Sequence, residues 1–142
     1  MISHLPAQSA AHILQNFDTQ LANLHNLTLD MVHLSLARLE STLSALHNEN
    51  CDQALDIMGS SQAVQLLADA INDEILSVLA RHHPVANDLR MVIAITRIST
   101  ELEKLNGEIC DIAHLVLALF EPRLGGPNHD LPSEILSMGM LS

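Results

Sequence analysis

Apolar residues recur at spacings of three and four along most of this chain, which is the pattern of helices rather than strands. The pattern predicts three long helices, over residues 10–46, 52–81 and 85–120. Residues 48–50 and Pro84 mark short connections between them. Because short connections make neighbouring helices antiparallel, the chain is predicted to be all-α and to form an antiparallel three-helix bundle.

The first predicted helix carries two apolar stripes, which predicts two covered faces. One stripe contains Ile13, Phe17, Leu24, Leu27, Met31 and Leu34, and the other contains Val32, Leu36, Leu39, Leu43 and Leu46. The second helix is predicted to turn inward Leu55, Met58, Val64, Leu67, Ile71, Ile75, Val78 and Leu79, and the third Val92, Ile95, Ser99, Leu102, Ile109, Ala113, Val116 and Phe120. Within the second helix, Gly59-Ser60-Ser61 favours a local bend.

The bundle is expected to occupy residues 1–121, and residues 122–142 are expected to form a linker followed by a short helix. Glycine and proline at residues 125–127 indicate the linker. Residues 131–141 have the pattern of a short amphipathic C-terminal segment.

Composition agrees with one helical domain of 142 residues. Hydrophobic residues make up 48% of the chain, yet there is no Trp or Tyr and only two Phe, so the core must be aliphatic. The mean hydropathy is positive although no run of apolar residues reaches the length of a membrane span. We therefore expect some apolar helix surface to be covered by a second copy in a homodimer.

The formal charge of −11 narrows the classes of partner. With 17 acidic and 6 basic residues there is no basic stripe to neutralise phosphates, so binding to nucleic acid or to an anionic membrane surface is not expected. Cys51 and Cys110 are too few for a metal cluster of their own, and the N-terminus lacks the basic start of a secretory signal. We expect a cytoplasmic protein.

One signature is more specific than the helical pattern. It is His83-Pro84-Val85-Ala86-Asn87-Asp88-Leu89-Arg90, followed further on by Glu101-Leu102-Glu103-Lys104-Leu105-Asn106-Gly107. Proline fits a tight helix–helix connection, and Asp88 is placed where a first-turn carboxylate interacts favourably with the helix dipole. The pair of motifs resembles the central signature of PhoU proteins, Q-P-V-A-x-D-L-R followed by D-L-E-R-I-G-D. Its matching positions are Pro84, Val85, Ala86, Asp88, Leu89, Arg90, Glu101 and Glu103.

The resemblance extends in outline over residues 12–113. His12-Ile13, Phe17-Asp18 and Leu21 are similar to the opening of the family, and Arg97-Ile98-Ser99 is similar to the segment before its acidic motif. PhoU proteins usually contain two such bundles in tandem, so the resemblance implies one repeat: either a natural single-repeat relative or a chain without its second half. It also implies a regulator of phosphate uptake and phosphate-starvation signalling that binds a phosphate ABC transporter, a sensor histidine kinase, or both.

The chain contains no G-x-S-x-G, P-loop or G-x-G-x-x-G motif, so we expect no enzyme.

Some PhoU proteins bind iron or zinc through acidic pairs on helices two and three, and resemblance places these pairs at Ser61 with Gln65 and at Glu103 with Gly107. In a hairpin that reverses at residues 83–84, Ser61 lies level with Asn106 and Gln65 with Leu102. Only Glu103 keeps a carboxylate, so neither metal nor another cofactor is expected. Gly107 within a helix indicates relaxed function or close helix packing.

A second set of candidate metal ligands is an alternative. Glu103, Cys110, Asp111 and His114 lie on one broad helical face, while Asp69 and Asp73 form a D-x-x-x-D pair that points away from them. Solvated surface roles are favoured for these residues, and surface or capping roles for the other histidines. Two other functions therefore stay open: a metal-binding helical bundle, and a dimerising structural adaptor for another transporter.

Overall fold

The computed structural model describes residues 7–121. It contains the helices α1 (Ala7–His47), α2 (Cys51–Gly59), α3 (Ser61–His82) and α4 (Ala86–Phe120). The prediction of an all-α bundle is confirmed, with the second predicted helix divided at Ser60 into α2 and α3. The predicted linker and C-terminal helix at 122–142 lie outside the described residues.

Contacts between the helices give their directions. Ser99 Oγ lies 3.7 Å from Met31 Sδ, and Arg38 Nε donates to Asn106 Oδ1 at 3.0 Å. Both pairs are 68 residues apart, so α1 and α4 run parallel to each other. The connecting arm, α2 followed by α3, runs antiparallel to both, as an up-down-up bundle requires.

The first connection is closed by its own polar groups. Asn50 N donates to Ala45 O at 2.9 Å, and Glu49 takes a left-handed φ of 54°. The side chain of Asn50 then caps α2 by accepting from Gln53 N at 3.0 Å. Asp52 lies in the first turn of α2.

The second connection, at His83, Pro84 and Val85, reverses the chain where the sequence predicts. His83 ends α3 in a left-handed conformation with a φ of 44°, instead of the extended one that usually precedes proline. Pro84 lies before the extended N-cap Val85 rather than in the first helical turn. Asp88 occupies the first turn of α4, as predicted.

The core consists of two clusters along the bundle. The cluster near the α3–α4 connection contains Leu24, Met31, Val64, Ala68, Ile71, Ile75, Val78, Val92 and Ile95. The cluster around α2 contains Ala45, Ala54, Ile57, Ile109, Ala113 and Val116. Most residues predicted to point inward from α3 and α4 are buried, because both helices keep one apolar stripe.

The prediction of two covered faces on α1 is wrong for the bundle by itself. Leu36 and Leu43 of the second stripe are 51% and 52% exposed, and Leu55 on α2 is also 51% exposed. The face that α1 buries contains, beside Leu24, Met31 and Ala45, four polar residues: Thr28, Ser35, Arg38 and Thr42.

Within residues 7–121, every helix is too short or too polar to cross a membrane.

Candidate functional site

The groove between α3 and α4 holds the positions that the family resemblance assigns to metal. Gln65 Nε2 donates to Glu103 Oε2 at 3.3 Å, and Asn106 Nδ2 donates to the backbone oxygen of Ser61 at 3.3 Å. Ser61 and Asn106 are therefore level, and Gln65 lies within one residue of its expected level. The four family positions offer one carboxylate, Glu103, and otherwise a neutral amide, a hydroxyl and a glycine, which suit hydrogen bonding better than the binding of a hard cation.

Gly107 lies on the exposed side of this groove. A Cβ atom built on Gly107 would meet nothing within 4 Å. Close helix packing therefore does not explain this glycine, and that interpretation of the sequence is wrong. The space left at residue 107 is large enough for a side chain to enter the groove.

The alternative ligands are only partly brought together. Asp69 Oδ1 accepts from Gln65 Nε2 at 3.3 Å, so Asp69 and Glu103 share one amide, although the spacing had placed them apart. Asp73, Asp111 and His114 are exposed. Among residues 7–121, no three His, Cys, Asp or Glu side chains gather around one point.

A buried arginine, Arg38, is the polar centre that sequence reasoning missed. Its side chain is 4% exposed, and all of its hydrogen-bond partners are neutral. They are Asn106 Oδ1 at 3.0 Å, Ile57 O at 2.9 Å, Ser60 Oγ and, more weakly, Cys110 Sγ at 3.7 Å. Arg38 thus joins α1 to the α2–α3 break and to α4.

The break at Ser60 depends on these bonds. Ser60 Oγ donates to Ile57 O at 3.0 Å, and Arg38 donates to both groups. A Gly-Ser pair permits a kink, and the Ile57 carbonyl at this kink accepts from both the Ser60 hydroxyl and the buried Arg38. The signal in the sequence was spacing, because Arg38 follows Met31 by seven residues and precedes Ala45 by seven, along one buried face.

One histidine departs from the surface or capping role expected for it. His82 is half-buried, its Nε2 lies 2.7 Å from Gln20 Oε1, and its ring lies 4.8 Å from the ring of Phe17. Gln20 Nε2 also donates to Ser77 Oγ at 3.2 Å. His82 therefore ties α3 to α1 at the end of the bundle that carries the signature.

The signature itself is largely displayed on the surface. Val85 is 73% exposed and Leu89 is 37% exposed, and Ala86, Arg90 and Glu101 are also exposed. Pro84, Asp88 and Glu103 are half-buried. Packing of the core does not require an exposed valine and leucine at this turn.

Comparison with known proteins finds a family to which the chain is similar. The model of the PhoU domain matches residues 28–116, which include the buried arginine, the groove and the signature. The phosphate-specific transport system accessory protein PhoU of Serratia marcescens is 30% identical over 100 residues, covering 70% of this chain and 41% of the relative. The PhoU protein of Escherichia coli (strain K12) is 27% identical over the same shares of each chain.

A PhoU homologue of Clostridium acetobutylicum is 27% identical over 124 residues, 87% of this chain and 55% of the relative. The chain thus spans about half or less of the length of these relatives. No solved structure matches it significantly. The domain match covers more than half of the chain. The chain therefore belongs to the PhoU family.

Proposed function

We propose that this protein is a non-enzymatic accessory and regulatory protein of phosphate uptake in the cytoplasm. It acts by binding components of a phosphate ABC transporter, a sensor histidine kinase, or both, and it restrains the phosphate-starvation response when phosphate is plentiful. The observation that carries this proposal is family membership, since the named relatives are phosphate-specific transport system accessory proteins.

The exposed signature supports binding rather than catalysis. Val85, Leu89 and Arg90 form an apolar and basic surface at one end of the bundle. In a chain of formal charge −11, a cation beside exposed apolar groups is a natural contact for a partner surface that combines apolar and acidic residues. We place the transporter or kinase contact there.

Genetic complementation tests the regulatory role. In the source organism, loss of the gene should raise expression of phosphate-starvation genes in phosphate-rich medium, and the parent gene should restore low expression. The double variant Val85→Ser/Arg90→Ala should not restore it, because the surface that binds the partner has lost its apolar and basic groups. The matched control is Leu66→Ser/Arg81→Ala, which makes the same chemical changes at exposed positions of α3.

Quantitative mass spectrometry of affinity-purified protein follows the binding directly. Transporter or kinase subunits should be enriched with the parent and the control, and depleted with Val85→Ser/Arg90→Ala. Unchanged gene expression in the deletion strain would contradict the regulatory role. Equal recovery of the same subunits with both variants would contradict the proposed surface.

We also propose that the acidic metal site of the family is degenerate in this chain. Glu103 is the remaining carboxylate at the four positions, and Gln65 occupies it with a hydrogen bond of 3.3 Å. Protein purified without chelators should contain iron and zinc well below one ion per chain by elemental analysis. Stoichiometric metal in the parent would contradict this proposal and would make Asp69, Asp111 and His114 the next residues to mutate.

The converse change should create a site. Ser61→Asp, Gln65→Asp and Gly107→Asp would place two four-spaced acidic pairs on facing helices, and space for the new side chain exists at residue 107. The triple-aspartate variant should gain metal that the parent lacks. The control Ser61→Ala/Gln65→Ala/Gly107→Ala changes the same positions without adding oxygens and should gain none.

Finally, we propose that the chain forms a homodimer, since residues 7–121, which the structure describes, expose sixteen large apolar side chains.

A further inference from the structure

The outward side of α4 carries a small apolar patch between two arginines. This arginine face consists of Arg90, Ile93, Ala94, Arg97 and Ile98, which line a shallow depression of about 400 Å³. All five residues are exposed, with Ile93 exposed by 47% and Ile98 by 42%. The face begins directly after the signature turn and continues its exposed surface along the helix.

The bundle does not use this side of α4. The helix packs into the core through Val92, Ile95 and Ser99, each at most 4% exposed. Arg90 and Arg97 are seven residues apart, which places both on the outward side at a separation of about 10 Å along the helix axis. Two cations at a fixed separation, with branched apolar side chains between them, give the face a defined pattern for a partner.

The positive charge of the face is poorly neutralised along the helix. The residues three and four positions from Arg90 are alanine, asparagine and isoleucine. Arg97 has Glu101 four positions later, in the order that stabilises a helix less than the reverse. The chain has 6 basic and 17 acidic residues, so most of its surface repels an acidic partner and this face attracts one.

A second copy of the chain fits this face poorly. A two-fold contact of the face with itself would set α4 antiparallel to its counterpart, centred between Ile93 and Ala94. Arg90 would then lie against Arg97 of the other copy, and the like charges would repel. Contact of the face with a different, acidic surface of a second copy would be heterologous, which produces rings or filaments instead of a two-fold dimer.

An extended anionic surface fits no better. Farther along the same side of α4, the exposed carboxylates of Glu101, Glu108 and Asp111 outnumber the one exposed cation, Lys104. A lipid surface or a nucleic-acid backbone would meet these carboxylates as well as the arginines. A compact acidic segment can cover the arginine face alone.

We propose that the arginine face binds an amphipathic helix of a partner protein, one that carries two carboxylates about seven residues apart with apolar side chains between them. A helix that packs along α4 repeats the seven-residue spacing of the two arginines. Each guanidinium can donate two hydrogen bonds to one carboxylate, while Ile93 and Ile98 pack against the apolar side chains. This inference rests on the proposed function, because it extends the transporter or kinase contact at Val85 and Arg90 along α4 and specifies the chemistry of the partner.

Photo-crosslinking in the source organism identifies the occupant. The full chain carries p-benzoylphenylalanine in place of Ala94, and a control chain carries it in place of Leu66, an α3 residue that is 61% exposed. In phosphate-rich medium, residue 94 should crosslink to a transporter or kinase subunit, at a segment with two Asp or Glu residues about seven positions apart. A crosslink to a second copy, to lipid or to a segment without such carboxylates would overturn the proposal, as would a yield no higher than that from residue 66.

Binding of the purified crosslinked subunit then tests the face itself. Ile93→Ser/Arg97→Glu leaves Val85 and Arg90 in place and should weaken binding at least about 100-fold, because it removes an apolar contact and sets like charges together. The matched control Leu66→Ser/Arg81→Glu makes the same changes at exposed positions of α3 and should weaken binding less than about 3-fold. Helicity by circular dichroism should be equal in both variants.

A charge exchange tests the carboxylates of the partner. Replacement of the partner carboxylate nearest the crosslink by arginine should weaken binding to the parent and improve binding to Arg97→Glu at least about 10-fold. Equal affinity of Ile93→Ser/Arg97→Glu and its control would overturn the arginine face, whereas a loss of binding with Val85→Ser/Arg90→Ala would still support the proposed function. Capture of such an acidic helix from a protein unrelated to phosphate uptake would support the face and contradict the proposed function.

Discussion

The two sides of α1 between residues 28 and 46 differ in a way that reverses the usual amphipathic helix. The inward side contains Thr28, Ser35, Arg38 and Thr42 beside Met31 and Ala45, each at most 6% exposed, and the outward side contains Leu29, Leu36, Leu43 and Leu46, which are 37% to 52% exposed. At the other end of the same helix, Leu24 is fully buried and Asp18 is exposed, as an ordinary amphipathic helix requires. The N-terminal part of α1 therefore has the usual apolar inward face, whereas the inward face between residues 28 and 46 is largely polar.

The polar inward side is stable because most of its groups are hydrogen-bonded. Thr28 Oγ1 donates to Leu24 O at 2.8 Å, and Thr42 Oγ1 donates to Arg38 O at 2.7 Å. Arg38 finds its partners on α2, α4 and Ser60. Hydrogen bonds therefore make burial of these polar groups beside Met31 and Ala45 possible, whereas Leu36 and Leu43 on the outward side stay about half exposed in the bundle.

Of the substitutions that test the difference between the two sides of α1, removal of the Arg38 side chain should have the largest effect on the free energy of unfolding. Arg38→Ala leaves Asn106 Oδ1 without its donor, leaves Ile57 O with the Ser60 hydroxyl as its side-chain donor, and opens a cavity between α1, α2 and α4. We expect a loss of about 3 to 5 kcal/mol in the free energy of unfolding, measured by urea denaturation at a fixed protein concentration.

Arg38→Met is the matched test of volume against hydrogen bonding. It restores much of the volume without the charge, and it should recover part of the loss. Arg81→Ala, at an exposed position of α3, should cost less than about 0.5 kcal/mol. A cost for Arg38→Ala close to that of Arg81→Ala would show that the buried contacts of Arg38 are dispensable.

Two Leu→Ala substitutions make the same chemical change on the inward and on the outward side of α1. Leu24→Ala removes a fully buried side chain and should cost about 3 kcal/mol. Leu36→Ala removes a side chain that is 51% exposed in the single chain, and its cost to the bundle should be below about 1 kcal/mol. Urea denaturation of both variants at several protein concentrations separates the stability of the bundle from any contribution of self-association. Equal costs would contradict the assignment of inside and outside.

The smallest effect should come from the one inward hydroxyl without a partner. Ser35 is 1% exposed, and among the described residues its Oγ makes no hydrogen bond. Ser35→Ala removes the desolvated hydroxyl and keeps the Cβ, so it should stabilise the protein by about 0.5 to 1 kcal/mol in thermal or urea denaturation. Thr42→Ala, which removes a bonded hydroxyl, serves as the control and should be destabilising. Destabilisation by Ser35→Ala would indicate that the hydroxyl has a partner.

Much of the bundle was predictable because it depends on short-range rules. The single apolar stripe of α4 predicted its buried residues, including Val92, Ile95 and Ile109. The turn at Pro84 predicted which residues of α3 and α4 lie side by side, and the hydrogen bond from Asn106 to Ser61 confirms that these two residues do. Each of these inferences uses local periodicity or the geometry of a hairpin, and neither depends on distant parts of the chain.

The polar centre was not predictable in the same way. Arg38 appears in the sequence as an ordinary surface cation, and only the packing of the α2–α3 break and α4 around it supplies the partners that make its burial possible. Gly107 similarly appeared to report close packing, and the open space beside it became evident only with the helices in place.

The amino-acid sequence by itself determined the all-α class, the helical connections and the family signature. Helical periodicity, turn chemistry and motif order depend on residues that are close together in the sequence. The tertiary structure decided which of the two stripes of α1 is inward, and that the inward one contains Thr28, Ser35, Arg38 and Thr42. The physical reason is that the inward face also carries the fully buried Leu24, Met31 and Ala45, and that most of its polar groups are hydrogen-bonded, either to α1 itself or, for Arg38, to α2, Ser60 and α4. An apolar face of equal quality stays exposed until another helix covers it.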